Sequence, residues 1–564
     1  MERRYAERIV LIGPPGSGKT TLGALLAAAL GWSFVDTDAQ VAAVAGATLP
    51  ELFAREGEAR FRELESAALR EACAGERVVI ATGGGIGERE ENLRLMRAGG
   101  WVVLVECAPE TALARMRGAC DDDEAEAIGA RRPLLAGGDP LTQLQELIER
   151  RAGWYACHDD HVSTEDATPE EATVRILAGL IGVGALPPDG AMEYIREVRA
   201  TPRSYVAVVA WGGLATLGAR LAEMGFARRV FVVADATVWG LYGPAVEAAL
   251  LAAGFGVEAH CVPPGEASKS REQLNLIHDW LVERRAERGE ALVALGGGVV
   301  GDLAGFAAAT YLRGVPLIQA PTSLLAQVDA AVGGKVAIDH PRGKNLIGAF
   351  YAPRLVLADP ATLLTMPPRQ RTEGWAEVIK HGVALDVDYF ARLEREAEAL
   401  LALRPAPTTE VIAGSVALKA GIVEDDERER EGGRRVLLNY GHTIAHAIES
   451  VAGYGAWLHG EAVAAGMTVA ARVGRRIGIT ADEVVMRQDR LLARFGLPVR
   501  LNGLSAGELM RAALWDKKVR GGRVRWVLPT ALGSAAIYDQ VPDSDVRAAL
   551  LEAGAVDDEP PPSL

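Results

Sequence analysis

Several things are scarce in this 564-residue chain, and each absence excludes something. Five cysteines (Cys73, Cys107, Cys120, Cys157 and Cys261) form no CxxC pair and sum to an odd number, which reads as reduced thiols rather than a disulfide framework. Positive charge is not in excess. Sixty Lys and Arg face 75 Asp and Glu, and a net charge of −15 argues against a nucleic-acid scaffold or a binder of anionic membranes. No apolar stretch reaches membrane-spanning length before a charge breaks it. Charged residues run straight into the first apolar strand, so no secretory leader is expected. Internal repeats are missing as well. Length is what the chain has: it is too long for one hydrophobic core, and two to four domains are expected of a soluble, cytoplasmic protein.

The most specific motif is Gly13-Pro14-Pro15-Gly16-Ser17-Gly18-Lys19-Thr20. An apolar strand at 8–12 precedes it and a helical stretch at 22–30 follows. Backbone N–H groups there can close around phosphate oxygens, Lys19 can reach the terminal phosphates, and the Thr20 hydroxyl can ligate Mg²⁺. Further strands are expected at 34–35, 77–81 and 101–106, an alternation that predicts a parallel α/β sheet. Asp36 and Asp38 fall just past a strand, where ligands bind in open α/β folds. Arg62, the Gly83-Gly84-Gly85 turn and the basic Arg131-Arg132 stretch add groups suited to a carboxylate and to phosphates.

These residues resemble shikimate kinase over about 8–160. The resemblance implies ATP and Mg²⁺ held by Gly13, Gly16, Ser17, Gly18, Lys19, Thr20 and Thr21, with Asp36 supporting the metal and Arg117 near the adenine. It implies shikimate bound by Asp38, Arg62, Gly83, Gly84, Gly85 and Arg151, with Asp38, Lys19 and the lid residue Arg132 as catalytic groups. One departure from the pattern is the long acidic stretch at 121–126. The residue pattern admits another small P-loop kinase; the Asp36/Asp38 pair with Arg62 and the glycine triplet favours shikimate.

Residues 163–188 read as loop-like, and the linker is expected at 176–200. A second α/β region follows, with strands at 205–210, 230–234 and 291–295, and the pattern turns helical from Pro368. The domains expected are therefore 1–175, 201–367 and 368–555, with a frayed Pro-rich tail at 559–564. Three groups carry chemistry here. Gly296-Gly297-Gly298 after a buried strand suits a pyrophosphate, although it is not the GxGxxG spelling. His442 and His446 lie one helical turn apart, and three of only nine histidines fall between 442 and 459. Spacing alone leaves open whether His442 pairs with His446 or with His459 on a metal. Lys335 and Lys344 sit in Gly-rich contexts suited to a multiply charged anion.

Together these groups resemble 3-dehydroquinate synthase over about 200–550, through 265–269, 296–302, 321–329, 343–348 and 439–446. That resemblance implies a Rossmann-like α/β lobe followed by a mainly helical lobe. It implies Zn²⁺ or Co²⁺ on Glu377, His442 and His459, with His446 a proton-transfer group. NAD is implied at Asp235, Glu266, Lys269, Gly296, Gly297, Gly298, Asp302, Thr322, Ser323, Asp329 and Lys344. The substrate, 3-deoxy-arabino-heptulosonate 7-phosphate, is implied at Arg313, Lys335, Asn345, Lys380, Lys419, Arg435, Asn439, His446 and Lys517, with Arg313, Lys335 and Lys380 also catalytic. In that family the cofactor takes and returns a hydride around elimination of phosphate. The expectation is a bifunctional enzyme, kinase ahead of synthase, which dimerises through the synthase part. Competing readings are a cyclase of another sugar phosphate, or one half kept as a regulatory or dimerisation module. Loss of Lys19, Asp38 or His442 would have favoured the latter, and all three are present.

Overall fold

The computed structural model describes residues 5–118, 135, 139–430, 433–453, 455–514, 519–520 and 523–557. The chain divides into two compact units, Met1–Pro187 and Pro188–Leu564.

Five parallel strands build the first unit: β1 (Arg8–Ile12), β2 (Ser33–Asp36), β3 (Val78–Ala81), β4 (Gly100–Glu106) and β5 (Asp160–Ser163), in the order β2-β3-β1-β4-β5. β3 is apolar, as is β1 after Arg8, and both are buried throughout, as strands covered by helices on both faces must be. From β1 the chain moves toward β2, whereas from β4 it moves the opposite way to β5. The ligand crevice of such a sheet lies at that reversal, outside the carboxyl ends of β1 and β4.

Regular elements lie at both ends of the residues expected as linker. A helix runs Pro169–Gly182, opened by a Thr168/Glu171 capping box and burying Ile176, Leu177, Leu180 and Ile181. The apolar spacing thus carries the helix through the region read as loop. Within 176–200 there is also a strand, β6 (Tyr194–Val198).

The second unit holds a seven-stranded sheet. Its members are β6, β7 (Tyr205–Val209), β8 (Arg229–Asp235), β9 (Gly256–Val262), β10 (Ala291–Gly296), β11 (Leu317–Pro321) and, past the antiparallel hairpin β12 (Lys335–His340) and β13 (Gly343–Phe350), β14 (Leu355–Ala358). The order is β6-β7-β14-β11-β10-β8-β9, parallel except for β6 at the edge. Here the reversal falls between β8 and β10. Helices dominate from Pro368 onward, and the Pro368–Leu385, His442–Ala452 and His459–Arg476 helices share one large apolar core. Among the described residues no helix is long and apolar enough to cross a membrane.

Candidate functional sites

In the first unit the phosphate loop follows β1 and opens the Lys19–Leu30 helix. Lys19 is buried, and its Nζ donates to the carbonyls of Gly13 at 2.9 Å and Pro14 at 2.8 Å, so the ammonium lies against the loop. Thr20 Oγ1 donates to Asp36 Oδ2 at 2.7 Å. The other Asp36 oxygen caps the Thr37–Ala45 helix by accepting the N–H groups of Asp38 (3.0 Å) and Ala39 (3.2 Å). A carboxylate and a hydroxyl are thereby fixed side by side at the mouth of the loop.

After β3 the glycine triplet makes a floor. A methyl on Gly83 would stand 2.4 Å from Glu65 Oε1 and 2.6 Å from Asp38 Oδ1; one on Gly85 would stand 2.4 Å from Arg62 Nη1 and 2.6 Å from Arg151 Nη2. Only a missing side chain lets two carboxylates and two guanidiniums come this close to backbone. Arg62 Nη1 donates to Glu65 Oε2 at 2.8 Å, and Arg151 Nη2 to Glu88 Oε1 at 2.6 Å. Burial pushes Glu65 up to about 7 even though Arg62 opposes it, and neighbouring Asp38 adds to the rise. Glu65 was not legible as a site residue; its i+3 spacing from Arg62 is the one sequence signal that points to it. Arg117 is exposed in the last turn of the Pro109–Gly118 helix, and Arg132 lies outside the described residues.

In the second unit the proposed dinucleotide residues gather at the carboxyl edge of the sheet. Asp235 ends β8 and caps the next helix through Val238 N at 2.9 Å. Gly296 ends β10, and Gly297 caps the Gly298–Thr310 helix. Thr322 and Ser323 follow β11 alongside, with Thr322 N donating to Gly296 O at 3.0 Å. Asp235 and the glycine turn therefore flank the strand reversal. Buried Lys269 pairs with Asp302 at 2.5 Å, and Lys344 approaches Glu266 at 4.0 Å.

Three helices converge on Glu377. His442 Nε2 lies 3.6 Å and His459 Nε2 3.8 Å from Glu377 Oε1, while the second Glu377 oxygen pairs with Lys380. Glu377 is fully buried, and its Oε1, facing the two histidines, accepts no hydrogen bond. Two atoms bound tetrahedrally to one Zn²⁺ at about 2.1 Å would stand about 3.4 Å apart, close to the separations found here. The donor set thus fits a divalent ion. Outer partners orient both rings: His442 Nδ1 meets Tyr440 O at 3.2 Å and His459 Nδ1 meets Glu449 Oε1 at 3.4 Å. Burial works to raise Glu449, yet the His459 contact and the charges of His459, Lys344 and His446 hold it at about 2. His446 is not in this donor group; its ring centroid is 5.7 Å from that of His442.

A second group, Asp329, Glu377 and His381, is also near enough to share an ion. It suits one less well, because Asp329 is taken by Lys419 at 2.5 Å, and Lys419 and Lys380 together crowd that carboxylate with positive charge. Lys335 pairs with Glu429 at 2.5 Å, Asn439 Nδ2 donates to the same carboxylate at 2.9 Å, and Arg435 Nη2 donates to Gly333 O at 3.1 Å. The Asn345 amide is held by Asp339 at 2.8 Å. Arg313 is exposed at a turn, and no contact among the described residues links it to these groups. Lys517 lies outside the described residues.

Family models match three stretches: shikimate kinase at 15–180, 3-dehydroquinate synthase N-terminal at 259–373 and 3-dehydroquinate synthase C-terminal at 374–519. The 3-dehydroquinate synthase of Pelobacter propionicus is 48% identical over 60% of this chain and 93% of its own length. The chain belongs to the 3-dehydroquinate synthase family. Its first unit is a shikimate kinase domain, so the order kinase then synthase stands as expected. The synthase of Nostoc punctiforme is 43% identical over 64% of this chain and 99% of its own length. Among solved structures, 2-epi-5-epi-valiolone synthase from Streptomyces hygroscopicus, with NAD⁺ and Zn²⁺ bound, is 27% identical with a TM-score of 0.58, covering 64% of this chain and 99% of that one. The chain is thus a bifunctional shikimate-pathway enzyme built from an α/β P-loop kinase domain and a synthase with an α/β lobe and a helical lobe.

Proposed function

We propose that the kinase domain moves the terminal phosphoryl of Mg²⁺-ATP to the 3-hydroxyl of shikimate, and that the synthase domain cyclises 3-deoxy-arabino-heptulosonate 7-phosphate to 3-dehydroquinate with release of phosphate. In the kinase, Lys19 would neutralise the transferring phosphoryl and Thr20, steadied by Asp36, would hold Mg²⁺. Asp38 would orient the accepting hydroxyl and take its proton, while Arg62 and Arg151 would grip the carboxylate. In the synthase, Glu377, His442 and His459 would hold the metal, and the edge from Asp235 to Ser323 would hold NAD. When bound, these two groups supply Lewis acidity and reversible hydride transfer. Lys335, Lys419, Arg435 and Asn439 would bind the substrate's anionic groups, and His446 would move a proton.

The observation that carries the synthase reading is the buried Glu377 carboxylate, which faces two histidine nitrogens at non-hydrogen-bonding distance. Self-association through the synthase domain belongs to the same reading, supported by exposed Met192 and Ile195 at the β6 edge. So does a cytoplasmic setting, in which the four described cysteines stay free. The likeness to the valiolone synthase favours one rival, a cyclase acting on a different sugar phosphate. Mass analysis of the product decides: a carboxylate-bearing 3-dehydroquinate supports the proposal, and turnover only of a sugar phosphate lacking the carboxylate supports the rival.

A further inference from the structure

In the kinase domain Glu88 holds a place the proposed reaction does not use. It ends the short 3-10 turn Ile86–Glu88 that follows the glycine floor. Its backbone is fixed: Glu88 N donates to Gly85 O at 3.1 Å, and Tyr155, one turn beyond Arg151, donates its hydroxyl to Gly84 O at 3.0 Å. Its side chain reaches both guanidiniums. Oε1 accepts from Arg151 Nε at 2.9 Å and Nη2 at 2.6 Å, and Oε2 lies 3.3 Å from Arg62 Nη2. Glu58, at 3.2 Å, and Glu65 also pair with Arg62, but Glu88 is the acidic partner of Arg151 among the described residues.

The three side chains differ in exposure. Arg62 and Arg151 are 9% and 3% exposed, whereas Glu88 is 41% exposed. A buried arginine pair cannot retreat, and an exposed carboxylate on a three-bond tether can swing into water at small cost.

We infer that Glu88 is a built-in carboxylate that occupies the acid-recognition position in the absence of substrate and is displaced by the carboxylate of the incoming hydroxy acid. It is an autoinhibitory contact: while it holds the two guanidiniums, any carboxylate ligand must displace it, which raises the concentration needed for occupancy by a common factor. This rests on the reading of Arg62 and Arg151 as the grip on shikimate's carboxylate. Removing the tethered competitor should tighten the acid substrate without touching the phosphoryl-transfer groups.

The test is steady-state kinase kinetics on the full chain with Glu88→Gln, Glu88→Asp and Arg151→Lys. The inference predicts that Glu88→Gln lowers the KM for shikimate about twofold to fivefold, the size of an exposed ion pair, with kcat within about twofold of wild type. Glu88→Asp, too short to bridge both arginines, should lower KM in the same direction, while Arg151→Lys should raise it. Unchanged or raised KM in both Glu88 variants, with KM raised in Arg151→Lys, would overturn the inference and leave the arginine assignment intact. If Arg151→Lys also left KM unchanged, the arginine reading would fail and the inference with it. Thermal shift gives a readout that a purely structural role would not move: the stabilisation by a fixed shikimate concentration should be larger in Glu88→Gln than in wild type.

Discussion

Glu65 sits where burial and ion pairing oppose each other. Its carboxyl faces Arg62, Asp38 and Arg151, and burial wins, raising it from 4.5 to about 7. A carboxyl raised in the folded state favours folding in its protonated form. Its contribution is therefore greatest at low pH and is lost as pH climbs through the window from 4.5 to about 7. That window corresponds to about 3 kcal/mol. Hydrogen-exchange protection of the kinase domain should fall between pH 5 and pH 8 in wild type and stay flatter in Glu65→Gln; equal slopes would contradict the assignment. The histidines make a second residue-scale case. His459→Ala should empty the metal site, read by metal analysis of purified protein, whereas His446→Ala should keep the metal and lose cyclisation. Of this chemistry, the phosphate loop, the glycine turns and the His442/His446 pair could be read from the chain because their spacing is local, whereas the set Glu377, His442 and His459 came only from the family resemblance. Glu65, Glu449 and His381 could not, because ordinary acids and a core histidine acquire meaning only from the burial and partners that folding gives them.

At the scale of elements, close helix packing brings the histidines together. A methyl on Gly466, in the His459–Arg476 helix, would stand 2.1 Å from the carbonyl of Gly441, the residue that caps the His442–Ala452 helix. Gly466→Ala should therefore push the two helices apart. The expected result is destabilisation of about 1–3 kcal/mol and weakened metal retention, read by urea unfolding and metal analysis. The central strands were legible from their apolar runs, as at 8–12 and 291–295, because strands covered on both faces need them. The Pro169–Gly182 helix was not, since its glycines and flanking prolines imitate a loop while its buried face is set by packing. The β12–β13 hairpin escaped for a related reason: its pattern is mixed in burial, without the apolar run of a covered strand.

For the whole molecule, two compact units each hold a separate set of chemical groups. Lys19→Ala should abolish ATP-dependent phosphorylation and leave cyclisation unchanged, because the phosphate loop and the synthase groups belong to different compact units; loss of both activities would contradict modular action. The account's central claim is that one chain carries both reactions. A ³¹P NMR time course on the intact protein tests it most directly, with Mg²⁺-ATP, NAD⁺, Zn²⁺, shikimate and 3-deoxy-arabino-heptulosonate 7-phosphate present, and controls omitting each in turn. The predicted result is a new sugar-acid phosphomonoester that requires ATP and shikimate, together with inorganic phosphate that requires NAD⁺ and the heptulosonate but not ATP. Absence of either signal from a folded, metal-loaded chain would contradict it.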